Sequence, residues 1–191
     1  MLGKVFGYLM NKINNDLNKF MLHNLLLDAD DEVLEVGFGD GKLIVEIAEK
    51  LNRGKVVGLD FSETMVRRAT KNNRKGIAQG KVELYNASIE SMPLDAGSFN
   101  KICSANTIYF WPEPDKNIKE LYRLLKKNGR IVLGFRTKQQ LERQSFSKHG
   151  FTLYEMQDVK ELLNIAGFSE VEIVSKPSNK LESYCAIATK K

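Results

Sequence analysis

Proline, cysteine and tryptophan are scarce in this chain of 191 residues, which contains four prolines, two cysteines and one tryptophan. Linkers between domains are commonly rich in Pro, Gly or Ser, and the chain has no such stretch and no repeat. Its length suits a single domain with a sizeable core. The hydrophobic fraction of 42% and the charged fraction of 28% are typical of a folded protein rather than a disordered one.

The two cysteines, Cys103 and Cys185, lie far apart and lack the C-x-x-C spacing or neighbouring histidines of metal and redox sites. Both fall within apolar runs, where free thiols are commonly buried. We therefore predict two buried free thiols and no metal.

No long hydrophobic run is present either. Lys, Asn and Asp residues interrupt the apolar N-terminus, which excludes a signal-peptide core and a membrane span and predicts a cytoplasmic protein. The apolar residues at 2–25 recur at helical spacing. We expect residues 1–28 to form an amphipathic helical lid or cap, and residues 29–191 to form the main domain.

Positive charge is in excess, with a net charge of +5 and a pI near 9.1. Between Lys116 and Lys148 the acidic residues are Glu120 and Glu142, and the basic ones are Lys116, Lys119, Arg123, Lys126, Lys127, Arg130, Arg136, Lys138, Arg143 and Lys148. A solvated helix face followed by a basic loop is the simpler interpretation. A site for a phosphorylated or polynucleotide substrate is the alternative.

Short apolar runs alternate with helical patterns along the chain. The predicted strands cover residues 32–36, 56–60, 82–85, 99–105, 130–135, 171–175 and 183–189, and the predicted helices after the first cover 43–51, 62–73, 117–127 and 156–166, with Ser62 as an N-cap. This alternation predicts an α/β fold of the Rossmann-like, doubly wound type. Its seven-stranded sheet is mostly parallel, ends in an antiparallel hairpin and has helices on both faces.

The first strand ends in a glycine-rich turn, Gly37-Phe-Gly-Asp-Gly41, which excludes two common nucleotide sites. A Walker loop requires Gly five residues before Gly41, where Val36 stands, and a hydroxyl residue after Lys42. A dinucleotide fingerprint requires its third Gly at the position of Lys42. A nicotinamide enzyme is therefore a weaker alternative.

What remains is G-x-G-x-G with Glu35 two residues before it and Asp60 at the end of the second strand. S-adenosylmethionine carries an amino-acid end, a sulfonium and an adenosine but no phosphate, so its site favours carboxylates and backbone carbonyls. Asp60 suits a bidentate bond to both ribose hydroxyls. The pattern therefore favours S-adenosylmethionine as cofactor and S-adenosylhomocysteine as product.

The chain resembles the class I S-adenosylmethionine-dependent methyltransferases, in particular the small ubiquinone and menaquinone biosynthesis group (methyltransferase type 11), over roughly residues 30–190. The motifs are Val33-Leu-Glu-Val-Gly-Phe-Gly-Asp-Gly41, Val57-Gly-Leu-Asp-Phe-Ser62, Ser88-Ile-Glu-Ser-Met-Pro93, Leu121-Tyr-Arg-Leu-Leu-Lys-Lys-Asn-Gly129 and Ala166-Gly-Phe168. Ser88 departs from the usual pattern, because the family commonly has Asp there to bond the adenine amino group.

The resemblance implies a role for each matching residue. The turn would border the methionine end, with Glu35 organising it; Asp60 would bind the ribose, Phe61 and Met65 would flank the adenine, and Ser88 and Ile89 would follow the third strand beside it. The implied cofactor-binding set is Glu35, Gly37, Phe38, Gly39, Gly41, Asp60, Phe61, Met65, Ser88, Ile89 and Ala105.

The methyl acceptor is not encoded in these motifs. Tyr109, Phe110 and Trp111 follow the fourth strand and either form an aromatic wall for a small organic acceptor or anchor the next helix. His23, His149 and Tyr109 are candidate bases if one is needed. We expect a small-molecule acceptor, with an RNA substrate on the basic face and a catalytically silent cofactor-binding or regulatory module as alternatives.

Overall fold

A seven-stranded sheet forms the centre of the computed structural model, which describes residues 15–91, 93–142, 152–177 and 182–191. The strand order is β3-β2-β1-β4-β5-β7-β6. Strands β1 to β5 run parallel, and β7 pairs antiparallel with both β5 and β6. The strands are β1 Glu32–Val36, β2 Lys55–Asp60, β3 Val82–Asn86, β4 Phe99–Ala105, β5 Leu125–Phe135, β6 Ser169–Lys176 and β7 Ser183–Thr189.

Helices cover both faces of the sheet. They are α1 at residues 15–25, α2 Lys42–Lys50, α3 Glu63–Asn72, α4 Arg74–Ala78, a 3₁₀ turn Ile108–Phe110, α5 Pro114–Leu124, α6 Lys138–Glu142 and α7 Met156–Ile165. One apolar core takes residues from α5 and α7, and a second takes residues from α1, α2 and α3. The predicted doubly wound fold is confirmed, and so are the two buried free thiols, Cys103 and Cys185.

The order in which the chain adds strands to the sheet reverses at β1. The chain passes from β1 outward to β2 and β3 and then returns to place β4 on the other side of β1. In sheets of this kind, ligands bind beyond the carboxyl ends of the strands at such a reversal. The glycine-rich turn follows β1 at this point.

The junction of α5 and β5 differs from the prediction. The helix ends at Leu124 and β5 begins at Leu125, whereas a helix through Lys127 and a strand from Arg130 were predicted. Asn128 has a φ of 61° and its backbone N–H donates to the Lys190 carbonyl oxygen at 2.7 Å. Strand pairing therefore overrides the helical pattern of residues 125–127.

Helix α1 packs against strand β5 of the sheet. Leu17, Met21 and Leu25 are fully buried, and Gly134 of β5 leaves room for the Met21 side chain. Arg130 Nε donates to the Asn24 carbonyl oxygen at 2.7 Å. The predicted opening helix is thus helical at 15–25, while its residues 2–14 lie outside the described ranges.

Helix α3 supports the glycine-rich turn from below. Gly41 has a φ of 73°, and a Cβ atom at this position would lie 2.7 Å from the Cβ of Ala69. Asn73 Nδ2 donates to the Gly41 carbonyl oxygen at 3.0 Å, and Asn72 Nδ2 donates to the Asp40 carbonyl oxygen at 2.8 Å. Gly41 is therefore required for close packing against α3, a role distinct from ligand contact.

Gly39 offers a matched comparison, because it also has a positive φ of 56°, but no atom of the described residues lies within 4 Å of a Cβ built there. We expect Gly39→Ala to lose about 1 kcal/mol of stability through backbone strain alone. Gly41→Ala should lose about 2–4 kcal/mol, since overpacking adds to that strain. Urea unfolding measures both values; equal losses would contradict the packing role of Gly41.

Candidate functional site

A cavity of about 490 Å³ opens at the carboxyl ends of β1 and β4. Its size falls within the range of small-molecule sites. Helix α1, the glycine-rich turn, the start of α2, helix α3 and the residues at the end of β4 form its walls. The lining residues are Asn15, Asn18, Glu35, Gly37, Phe38, Gly39, Asp40, Lys42, Met65, Arg68, Lys71, Asn72, Ala105 and Asn106.

Glu35 is the most deeply buried charged group of this cavity. It lies on β1 between Gly58 and Cys103 of the neighbouring strands and is 2% exposed. Its Oε2 atom has no hydrogen-bond partner among the described residues. Burial raises the pKa of the Glu35 carboxyl well above its usual value, and the charges of Asp40 and Asp60 raise it further. A buried acceptor without a partner is costly, so this position fits a ligand that brings a hydrogen-bond donor or a positive charge.

The Asp60 carboxylate joins the ends of β1 and β2. Its Oδ2 atom accepts the Gly39 N–H at 2.8 Å, and its Oδ1 atom accepts the Ser62 N–H at 2.9 Å. Each carboxylate oxygen keeps a further lone pair for a ligand hydroxyl. The prediction that Ser62 is the N-cap of α3 is confirmed, although its hydroxyl makes no capping bond to the described residues of α3 and its backbone N–H bonds Asp60.

The predicted cofactor set divides into two groups. Six of its residues line the cavity, namely Glu35, Gly37, Phe38, Gly39, Met65 and Ala105. The others lie beneath the turn or farther along the same edge of the sheet: Gly41, Asp60, Phe61, Ser88 and Ile89. Contact of either group with a cofactor stays a prediction.

The edge of the sheet beyond Asp60 differs in exposure from residue to residue. Phe61 is 74% exposed, whereas Ile89 is buried in the core. The Ser88 backbone N–H donates to Ser91 Oγ at 3.0 Å, and Ser91 Oγ donates back to the Ser88 carbonyl oxygen at 3.1 Å. The two serines thus close a small turn after β3.

The aromatic residues after β4 are mainly packing residues. Tyr109 and Trp111 belong to the core, and the Tyr109 hydroxyl donates to the Arg136 carbonyl oxygen at 3.1 Å. Burial raises the pKa of Tyr109, which disfavours a role as a base. Phe110 is half exposed. The helix-anchoring interpretation therefore accounts for Tyr109 and Trp111, and an aromatic wall for the acceptor stays a prediction.

Of the two histidine candidates, only His23 falls within the described ranges. His23 is exposed on α1 and is not among the lining residues, and His149 lies outside the described ranges. We therefore assign no catalytic base.

The sequence patterns missed much of the polar lining. Asn15 and Asn18 come from the polar side of α1, whose buried residues were predicted from helical spacing, and Arg68 and Lys71 follow Met65 on α3. Asn106 directly follows β4 with a φ of 55°. Helical spacing from Met65 could have indicated Arg68 and Lys71, because residues three apart share a helix face.

Most cations in the described part of the basic stretch that begins at Lys116 have polar partners within the protein. Arg123 bonds Glu120 at 2.6 Å and Lys138 lies 3.9 Å from Glu142, while Lys116 pairs with Glu113. Arg130 and Arg136 bond backbone or hydroxyl oxygens, and Arg136 is buried. These contacts favour the structural interpretation over a polynucleotide site for the described part of this stretch; Arg143 and Lys148 lie outside it.

The residues that the structure describes contain neither a metal-binding cluster nor a membrane-spanning helix. No group of three or more His, Cys, Asp or Glu side chains is placed to hold a metal ion. None of the helices in the described ranges is both long and apolar enough to cross a membrane. A metal-free site stays a prediction.

Comparisons with known proteins give one consistent answer. The profile of the family described as "Methyltransferase domain" matches residues 33–129. The uncharacterized methyltransferase YdaC of Bacillus subtilis is 30% identical over 97% of this chain and 98% of its own length. The ubiquinone/menaquinone biosynthesis C-methyltransferase UbiE of Citrifermentans bemidjiense is 28% identical over 63% of this chain and 52% of its own.

A solved structure shares the fold. The S-adenosylmethionine-dependent methyltransferase from Aquifex aeolicus superimposes with a TM-score of 0.75 at 23% identity, over 91% of this chain and 89% of that one. The glycine-rich turn, strands β2 and β4, and β1 from Val33 onward lie within the residues that the family profile matches. The chain belongs to the methyltransferase domain family and is a class I S-adenosylmethionine-dependent methyltransferase.

Proposed function

We propose that the cavity binds S-adenosylmethionine and that the protein transfers its methyl group to a small-molecule acceptor. The buried Oε2 atom of Glu35, which lacks a partner among the described residues, is the observation that carries this proposal. It fits the ammonium group of the cofactor's amino-acid end. Gly39, with open space where a side chain would be, lets the backbone approach the same ligand.

Other residues along the sheet edge would hold the rest of the cofactor. Asp60 would accept the two ribose hydroxyls in addition to its backbone bonds. Phe61 and Met65 would pack on the adenine, and Ser88 and Ile89 would lie at its edge. The high exposure of Phe61 supports this role, because an aromatic ring left in solvent gains buried area when a planar ligand covers it.

When bound, the cofactor would supply a sulfonium-bound methyl group, which the acceptor would take by in-line displacement with S-adenosylhomocysteine as the leaving thioether. The protein contributes alignment and exclusion of water, which alone can lower a barrier by several kcal/mol. Helix α1 would act as the cap, since it is fixed through Leu17 and Met21 and presents Asn15 and Asn18 to the cavity. A cytoplasmic location stays a prediction.

Direct binding tests the proposal. We expect S-adenosylmethionine and S-adenosylhomocysteine to bind with one site per chain by calorimetry, and NAD(H) not to bind. Incubation with a small-molecule metabolite extract should then produce S-adenosylhomocysteine, and incubation with buffer should not. Binding without turnover in any extract would favour the silent cofactor-binding module, and absence of cofactor binding would overturn the proposal.

Glu35→Gln should raise the melting temperature of the cofactor-free protein, by at least about 2 °C at pH 8. The pKa of Glu35 is higher in the folded protein than in the unfolded chain. Below about pH 4.3 the carboxyl is protonated in both states and costs the wild type no stability. As pH rises above this value, the free energy of unfolding falls by up to about 1.4 kcal/mol per pH unit until the folded-state pKa is reached. The gain of the variant should therefore vanish near pH 4, while its affinity for S-adenosylmethionine falls at pH 8. Thermal melts across this range and calorimetry measure both effects; a variant less stable at pH 8 would contradict the unpaired burial of this carboxyl.

Asp60→Ala should weaken S-adenosylhomocysteine binding at least tenfold. Because the variant also releases the Gly39 and Ser62 N–H groups, a second ligand is needed to isolate the ribose contact. The 2′-deoxyribose analogue of the ligand should bind the wild type less tightly, and the variant should lose little further affinity for it. Equal losses for both ligands would remove the ribose contact and leave Asp60 with its structural role.

A further inference from the structure

Helix α3 and the residues that follow it form a second strongly basic stretch, in addition to the one that begins at Lys116. Six basic residues and one acidic residue, Glu63, fall between positions 63 and 81, so this stretch alone carries the net charge of +5 that the whole chain has. The basic residues are Arg67, Arg68, Lys71, Arg74, Lys75 and Lys81. The rest of the chain is therefore neutral overall.

Most of these six cations form no ion pair with any residue that the structure describes. Arg67 pairs with Glu63 at 2.9 Å. Within the described ranges, the structure shows no ion pair for the next four, Arg68, Lys71, Arg74 and Lys75. Arg68 and Lys71 differ from the other two in that they line the cavity beside the glycine-rich turn.

The position of this pair on the helix makes it suitable for one ligand group. Residues three apart lie side by side on a helix face, and like charges at that distance repel each other. An anion between them relieves the repulsion, and an arginine binds a carboxylate or phosphate with two parallel hydrogen bonds. The third cation of the cavity, Lys42, is 2.9 Å from Asp40 and so is already neutralised.

In the proposed binding mode the cofactor's carboxylate is held close to Glu35, because it is bonded to the same carbon as the ammonium group. Arg68 and Lys71 line the same cavity from α3. The proposed cofactor contacts at Glu35, Gly39, Asp60 and Met65 do not include them.

We propose that Arg68 and Lys71 form an oxyanion-binding wall that selects a methyl acceptor carrying a phosphate or carboxylate group. This inference rests on the proposed function, because it places the acceptor in the cavity of a cofactor-loaded methyltransferase. The wall holds the charged group of the acceptor, and the remainder of the acceptor extends toward the methyl group.

Pyrophosphate titrated into the protein saturated with S-adenosylhomocysteine is the probe. We expect saturable binding to the wild type, weakened at least tenfold in Arg68→Ala/Lys71→Ala. Arg74→Ala/Lys75→Ala removes the same charge from the same surface but does not touch this cavity, and it should change the affinity less than threefold. All four residues are exposed, so both variants should fold; Arg68→Gln/Lys71→Gln gives a second version of the test.

Three results would overturn the inference. The first is no pyrophosphate binding, and the second is equal weakening of pyrophosphate binding in both double variants. The third is a loss of S-adenosylhomocysteine affinity in Arg68→Ala/Lys71→Ala that is not seen with decarboxylated S-adenosylhomocysteine. The second result would indicate a diffuse surface field, and the third would assign the pair to the cofactor carboxylate. Failure of the wild type to bind S-adenosylhomocysteine at all would instead overturn the proposed function.

Discussion

The Asp60 carboxylate is the interaction on which the site depends. It accepts hydrogen bonds from the N–H groups of Gly39 and Ser62 and so joins the turn after β1 to the end of β2. These bonds fix the conformation of the glycine-rich turn. Helix α3 completes this support through Asn73 and the close packing of Gly41. A ligand therefore meets a backbone that is already in place, so little conformational entropy is lost when it binds.

This arrangement concentrates negative charge. Burial disfavours the ionised form of Glu35, and the charges of Asp40 and Asp60 disfavour it further. The folded protein tolerates this because the two apolar cores on either side of the sheet supply the stability. A cationic ligand offsets the unfavourable burial of the Glu35 carboxylate. The same carboxyl that lowers the stability of the free protein therefore raises the stability of the complex. Stability and binding are opposed at this residue.

The sequence predicts the parts of the molecule that depend on local patterns. Strands such as Phe99–Ala105 and Ser183–Thr189 are predicted at their full length, because buried runs with turn residues at both ends leave little choice. The predicted helix through Lys127 is wrong, because the contacts of Asn128 and Gly129 with Lys190 come from the other end of the chain. The polar cavity residues Asn15 and Asn18 were missed for the same reason, since only tertiary packing places the surface of α1 opposite that of α3.

The two sides of the cavity therefore differ in what determines them. The side beside β1 has to match a ligand with fixed chemistry. It requires glycines, which expose the backbone, and acidic side chains, and both occur together in the short stretch from Glu35 to Gly41. The side formed by α1 and α3 is made of surface residues of two helices, whose folding requires only their apolar faces. Its charges are free to vary without loss of the fold. Arg68 and Lys71 form no ion pair within the described ranges, which fits the proposed contact of this side with the acceptor rather than with the cofactor.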